Sequence, residues 1–506
     1  MRAVLASEGV VGFVIARRRK WCRGSSSFLP CLFCGLMLAW GSAPVHAAQT
    51  LPTEVKSILQ RAGVPDSGMR VVVQEVGNPR ALLRWQPEQA FNPASLTKLL
   101  TTMAALERLG PAFNWSTPVW ISGQIRDGVL EGSVYIKGQG DPSLVLERVW
   151  LLLRQLQQAG VREIRGDIVL DNSAFSASEE APGEFDGETL RPYNVKPAAL
   201  LMSFRSVAYR FVPDLAAGVA RVQAEPGLAG LKLDRSVPLA PGGCGDWRAT
   251  LKAAFEPGAT RFSGRFPAAC GERWWLVADP DPNSFEQRLI SALWAEMGGR
   301  LSGSARAGAA PADSAPSFEF KSPALAEVVR DINKFSNNVM AQQLFLSLAL
   351  QDAPNAVATP AAARAWMTHW ILARTGEVTT DSVEPGDTAA LLIDNGSGLS
   401  RHTRISAQRL ARLLQQAYDS PVMSELMSSL PISGVDGTLR RSRATPGRAH
   451  LKTGSLRDVT AVAGYVLSDS GRRYVVVAGI HHAQAQAARP ALDALVQWVL
   501  RDAPSR

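Results

Sequence analysis

Apolar positions along the chain follow two rhythms. From Leu51 to Ala62, and again from about Ser95 to Leu109, they recur at helical spacing, with Leu99, Leu100, Met103 and Leu106 on one face of the second stretch. Met69–Val76 and Ala81–Gln86 read instead as the strands of a hairpin around Gly77-Asn78-Pro79. The far end repeats this arrangement: Asp458–Leu467 and Arg473–Ile480 flank Asp469-Ser470-Gly471, and a helix follows from about Arg489 to Arg501. Helix and antiparallel strands at both termini predict one domain assembled from both ends of the chain, with the middle as an insertion.

The insertion opens with strands near Val119–Ser122 and Leu130–Lys137, a helix from Leu144 to Ala159 closed by Gly160, and a strand at Asp167–Leu170. This reads as an α+β subdomain, 112–173, to which a helix Ser284–Met297 and the connector Gly303–Ser317 return as 280–317. Between them, 174–279 is punctuated by Pro and Gly into short strands and reads as a nested, mostly β subdomain. The main domain then comprises 49–111 and 318–506. Its second segment carries helical patterns at Pro323–Lys334, Asn338–Leu350, Pro360–Arg374 and Ala407–Tyr418, with Asp352–Ala363 as a loop running into a helix.

The first 48 residues stand apart. Arg17-Arg18-Arg19-Lys20 precedes an apolar run from Phe28 to Trp40, and small residues lead to Val45-His46-Ala47, the pattern of a secretory signal cleaved after Ala47 or Ala48. The run is short for a bilayer span, so the expectation is an exported, periplasmic protein with no stable membrane anchor. Removing 1–48 takes away six of the 54 Lys/Arg and one of the 45 Asp/Glu, which lowers the net charge from +9 to +4. With no dense basic stripe interleaved with aromatics left, nucleic acid is excluded as a partner. Cys22, Cys31 and Cys34 go with the leader. Cys244 and Cys270 remain and in an oxidising compartment most simply pair, two buried free thiols being the alternative.

Candidate chemistry lies in three short motifs. Ser95-Leu96-Thr97-Lys98 puts a serine and a lysine at i and i+3 in the first turn of a helix, on one face; a desolvated, neutral lysine there can accept the hydroxyl proton. Ser336-Asn337-Asn338 lies at a helix–helix junction, where Ser336 can relay a proton and Asn338 can hold a substrate amide. Lys452-Thr453-Gly454-Ser455 opens the C-terminal strands. There Gly454 would let a ligand backbone approach the strand edge, and the Thr453 and Ser455 hydroxyls beside Lys452 suit a substrate carboxylate. The backbone N–H groups of Ser95 and Ser455 could form an oxyanion hole. Other hydrolytic chemistries lack their residues: His369, His402, His450, His481 and His482 form no metal-ligand helix motif, and no Gly-x-Ser-x-Gly is present. No cofactor and no metal are expected. Asn395-Gly396-Ser397-Gly398-Leu399-Ser400 reads as a turn lining the cleft.

Taken in order, the three motifs match the signature of active-site serine penicillin-recognising enzymes. With Gly140-Asp141-Pro142-Ser143-Leu144, Gly166 to Asp171, Asp394 to Arg401, and Gly434-Val435-Asp436-Gly437-Thr438-Leu439, the mature chain resembles the class C low-molecular-mass penicillin-binding proteins, the D-alanyl-D-alanine carboxypeptidase/endopeptidase family. The long insertion between Lys98 and Ser336 distinguishes that family from compact β-lactamases. Asn337 departs from the signature, which has Asp there. The resemblance implies an α/β (α+β) penicillin-recognising, serine transpeptidase-like domain, an antiparallel sheet with helices carrying a large inserted α+β/β region. It also implies peptidoglycan stem peptides as substrates, covalent binding of β-lactam antibiotics, and Ser95 as nucleophile. Asp141 resembles a family aspartate that binds the amino group of a diaminoacid; as an Asp-Pro ahead of a helix it could equally be a cap. Two further functions share the motifs, a β-lactamase-like hydrolase and an idle scaffold that binds cell-wall peptides. The insertion speaks against the first, and intact Ser95, Lys98 and Lys452 against the second.

Overall fold

The structure, a computed structural model, describes residues 50–501 apart from 178–180, 351–356 and 377–390, so the leader 1–48 and the start of the Asp352–Ala363 loop lie outside the described residues. Val71-Val72-Val73 and the run from Tyr474 to Ile480 carry apolar or small side chains at successive positions, which suits strands covered on both faces. They form the centre of a five-stranded antiparallel sheet in the order Ala81–Trp85, Met69–Glu75, Arg473–His481, Val459–Leu467, Ala449–Leu456. The two ends of the chain therefore meet inside one sheet, with Val71 opposite Ala478. Val71, Val73 and Val476 pack beneath the terminal helices Thr53–Arg61 and Pro490–Leu500, whereas Val72, Val475 and Val477 pack beneath a layer of helices drawn mostly from the second half of the chain.

That layer holds Thr97–Leu109, Leu325–Phe335, Asn338–Leu350, Pro360–Thr375 and Ala407–Tyr418, and a short helix Met423–Ser429 that the hydrophobic pattern did not reveal. Every residue from Val339 to Leu348 is buried, so Asn338–Leu350 is the central helix of the layer. A helix buried on every side must find partners within the core for its few polar side chains. Its Gln343 is fully buried and reaches the insertion: the side-chain amide donates to the Ala198 carbonyl at 2.9 Å and accepts from the Ala198 N–H at 3.0 Å.

Within the insertion, Ser116–Arg126 and Val129–Lys137 lie at the heart of a seven-stranded mixed sheet. Two details depart from the sequence reading. The connector 303–317 contains a strand, Ala305–Ala307, parallel to Ile168–Asp171. Phe318–Lys321, assigned above to the main domain, instead pairs antiparallel with Ser116–Arg126 and completes this sheet's edge. The 174–279 segment builds a five-stranded and a three-stranded sheet, and Cys244 is disulfide-bonded to Cys270 there. Tyr209, Phe211, Phe262 and Phe266 belong to the same buried cluster as Leu130, Val134, Leu152 and Phe285, so the two inserted parts share one core. Among the described residues no helix is long and apolar enough to cross a membrane.

Candidate active site

Ser95 stands in a tight turn. Asn92 accepts the Ala94 N–H on its Oδ1 at 2.9 Å, Thr97 Oγ1 donates to the Ala94 carbonyl at 2.8 Å, and Ala94 adopts φ 48°. The α-helix begins only at Thr97, so Ser95 lies in a 3₁₀ turn at its head rather than in its first α-turn. The i, i+3 relation to Lys98 survives that change, and Ser95 Oγ lies 3.0 Å from Lys98 Nζ.

Lys98 is completely buried. Its Nζ lies 2.6 Å from Asn338 Oδ1 and 2.6 Å from the Ser397 carbonyl. Burial, and then the nearby charge of Lys452, push its pKa well below the ordinary lysine value. An uncharged amine has two N–H bonds and one lone pair. In that form the two carbonyl oxygens would take the two protons and leave the lone pair for the Ser95 hydroxyl, whereas in the charged form all three oxygens accept from Lys98 Nζ. Ser397 was not among the expected site residues. Its carbonyl is presented by the turn read above as lining the cleft, which Asn395 holds by accepting from Ser397 N–H and Oγ, and into which Gln342 Nε2 donates at 3.2 Å.

The second lysine, Lys452, is equally buried, and burial lowers it to about 7. Its Nζ donates to Ser336 Oγ at 2.8 Å and to the Thr453 carbonyl at 2.9 Å. Ser336 ends the helix Leu325–Phe335 in the left-handed region, φ 57° and ψ 39°, a conformation costing about 1 kcal/mol for a residue with a Cβ. Asn337 Oδ1 accepts the Met340 N–H at 3.1 Å and so caps the central helix. Asn and Asp cap equally well, which accounts physically for the departure from the signature at this position.

Ser95, Lys98 and Asn338 thus form one hydrogen-bonded group and Ser336 with Lys452 another, the two lysines close enough to repel, all drawn from three segments far apart in sequence. The D-Ala-D-Ala carboxypeptidase 3 (S13) family pattern matches residues 51–501. The chain belongs to that family. A D-alanyl-D-alanine carboxypeptidase of Actinomadura is 28% identical over 470 residues, 88% of this chain and 83% of that one. D-alanyl-D-alanine carboxypeptidase DacB of Haemophilus influenzae is 22% identical over 449 residues, 87% and 91% of the two chains. Its crystal structure, as penicillin binding protein 4, superposes with a TM-score of 0.69 at 21% identity, covering 88% of this chain and all of that one. A predatory endopeptidase of Bdellovibrio bacteriovorus shares the fold at TM-score 0.51 and 13% identity, over 86% of this chain and 93% of its own.

The remaining expected residues sit differently from their sequence reading. In the edge strand Ala449–Leu456 the pleat turns Lys452 toward the helical layer with Ala463, and Thr453 toward the opposite face with Val462. Thr453 Oγ1 bonds Thr438 Oγ1 at 2.8 Å, and Ser455 Oγ lies 3.1 Å from Gln486 Nε2, which donates to it. At Gly454 a Cβ would lie 2.6 Å from the Pro93 carbonyl, so the glycine also lets the strand pack closely on the turn that carries Ser95. Asp141 is 3% exposed, and its partners are the Ser143 N–H, which donates to Oδ1 at 2.7 Å, and the charge of Arg148. Burial raises its pKa to about 6. Neither partner belongs to the lysine centre; the Ser143 contact is an i, i+2 turn ahead of the helix Leu146–Gln158, whose N-cap is Val145, and Asp141 Oδ2 is buried without a hydrogen-bond partner among the described residues. Among the described residues, no group of three or more His, Cys, Asp or Glu could hold a metal ion.

Proposed function

We propose that this chain is a serine D-alanyl-D-alanine carboxypeptidase with endopeptidase capacity on peptidoglycan stem peptides, exported to the periplasm, and that β-lactams acylate it at Ser95. The observation that carries the reading is the contact of Ser95 Oγ with Lys98 Nζ at 3.0 Å, within hydrogen-bond reach of a fully buried lysine whose charge burial disfavours.

In this reading Lys98 removes the Ser95 proton as Oγ attacks the penultimate D-alanine carbonyl. The N–H groups of Ser95 and Ser455 stabilise the oxyanion. The carbon–nitrogen bond breaks, the leaving amine collects a proton through Ser336, and water then attacks the acyl ester to release the shortened peptide and free Ser95. Asn338 holds Lys98 and the substrate amide. The Thr453 hydroxyl receives the terminal carboxylate, with the buried Lys452 charge behind it and Gly454 keeping the strand pressed to the nucleophile turn. The catalytic domain takes 49–111 and the chain beyond Lys321. The insertion takes the rest, with the Phe318–Lys321 strand moved to its sheet. A leader ending near Ala47 and the Cys244–Cys270 disulfide support export.

Labelled penicillin provides the test. Mass spectrometry of the folded protein should find one adduct, on the peptide carrying Ser95, and none in Ser95→Ala. A label on another residue, or no adduct in wild type, removes the mechanism. Product analysis on purified cross-linked muropeptides then reads both activities: release of free D-alanine for the carboxypeptidase and cleavage of dimers to monomers for the endopeptidase.

A further inference from the structure

We propose that Thr438 is a positioning residue for the Thr453 hydroxyl, carried on a loop that Lys334 and Asp436 anchor to the end of the Ser336 helix. The inference rests on the reading that Thr453 meets a substrate carboxylate. The two threonine hydroxyls lie 2.8 Å apart and line one groove of about 590 Å³ beside the edge strand. A hydroxyl has one proton to give and two lone pairs. In the free protein Thr453 gives its proton to Thr438. When a carboxylate arrives, Thr453 turns that proton to the ligand and accepts the proton of Thr438 in return, so both hydroxyls stay bonded. Valine at 438 would keep the shape and remove the partner, leaving Thr453 free to rotate.

The loop that carries Thr438 is built to hold still. Lys334, 3% exposed, donates to Asp436 Oδ2 at 2.6 Å and to the Leu430 carbonyl at 2.7 Å. Asp436 Oδ1 accepts the Ile432 N–H at 2.8 Å. Gly437, at φ 53°, packs so closely that a Cβ would lie 2.6 Å from the Lys334 carbonyl. Lys334 stands two residues before Ser336, which receives Lys452. The same helix end therefore supports both a proton-relaying serine and, through the loop, the carboxylate-binding threonine.

The experiment compares a peptide ending in D-alanyl-D-alanine with the same peptide blocked as a carboxyl ester, in wild type, Thr438→Val, Thr438→Ser and Thr453→Ala. Thr438→Val should raise KM for the free acid about tenfold with kcat changed less than threefold, while kcat/KM for the ester falls by a smaller factor, and Thr438→Ser should restore the free-acid KM to within threefold of wild type. Equal losses on acid and ester, no change in Thr438→Val, or no rescue by serine would overturn the proposal. If the valine variant fails to fold, Thr438→Ala is read by the same criteria. Failure of the underlying reading looks different: Thr453→Ala would then not discriminate acid from ester, or wild type would turn over neither.

Discussion

A lysine side chain keeps its charge in water, and losing that water is the main force on both lysines of this site. For Lys98, burial and then the nearby Lys452 charge push the pKa well below the ordinary lysine value, the direction that the proposed role of base requires. Lys98→Ala should lower the penicillin acylation rate by roughly 10²–10⁴, the range for a positioned general base, while the fold is retained by circular dichroism. Lys452 has the opposite requirement, because only its protonated form attracts a carboxylate. Its pKa of about 7 means that this attraction is lost as pH rises through 7, so kcat/KM for a free-carboxylate peptide should fall above that pH. A carboxyl-blocked ester should lack that falling limb, and identical pH profiles for the two substrates would refute the assignment. Ser95, Lys98 and Lys452 were legible as candidates because a serine beside a lysine and a second lysine before Thr-Gly form chemically distinctive motifs. Ser397 was not, since the group that binds Lys98 is a backbone carbonyl, which any residue carries.

At the scale of elements, the site depends on how closely an edge strand and a turn approach each other. Gly454 lets Ala449–Leu456 pack on Pro93-Ala94, and a methyl group would have to displace the backbone carrying Ser95. Gly454→Ala should therefore slow acylation by about 10²-fold, the cost of roughly 1 Å of misplacement, with a smaller effect on the melting temperature. Acylation at the wild-type rate would show that the turn can yield freely. In the helical layer, Leu344 is fully buried on the central helix, and Leu344→Ala should cost roughly 2–5 kcal/mol in chemical denaturation. The helices of this layer were legible in outline from their apolar periodicity. Met423–Ser429 was missed because seven residues span too few turns for a period to emerge.

For the whole molecule, the question is how independent the insertion is from the catalytic sheet. Its main buried cluster is separate from the two that line that sheet, while Phe175 and Ala199 pack into the helical-layer cluster and Val195, Leu201 and Ala278 pack with Val339; the disulfide closes a loop with a sequence separation of 26 in the nested β part. Chain entropy assigns such a crosslink roughly 3–4 kcal/mol. Replacing both Cys244 and Cys270 with serine should thus lower an unfolding transition of the insertion while penicillin still labels Ser95 at a near-normal rate. Loss of labelling in parallel with that transition would show that the two parts unfold as one unit, coupled through contacts such as Gln343 with Ala198.

The sequence by itself determined the residue types of the centre, their order along the chain, the meeting of both termini in one domain and the presence of a large insertion. These are legible because nucleophile and base are close in sequence and because burial imposes a period on apolar residues. Only the tertiary structure decided which face each residue of Lys452-Thr453-Gly454-Ser455 occupies, that Gly454 serves the chain's own packing, and that Phe318–Lys321 belongs to the inserted sheet. Each of those outcomes depends on contacts between segments tens to hundreds of residues apart, and local spacing carries no information about which distant backbone will fill a given space.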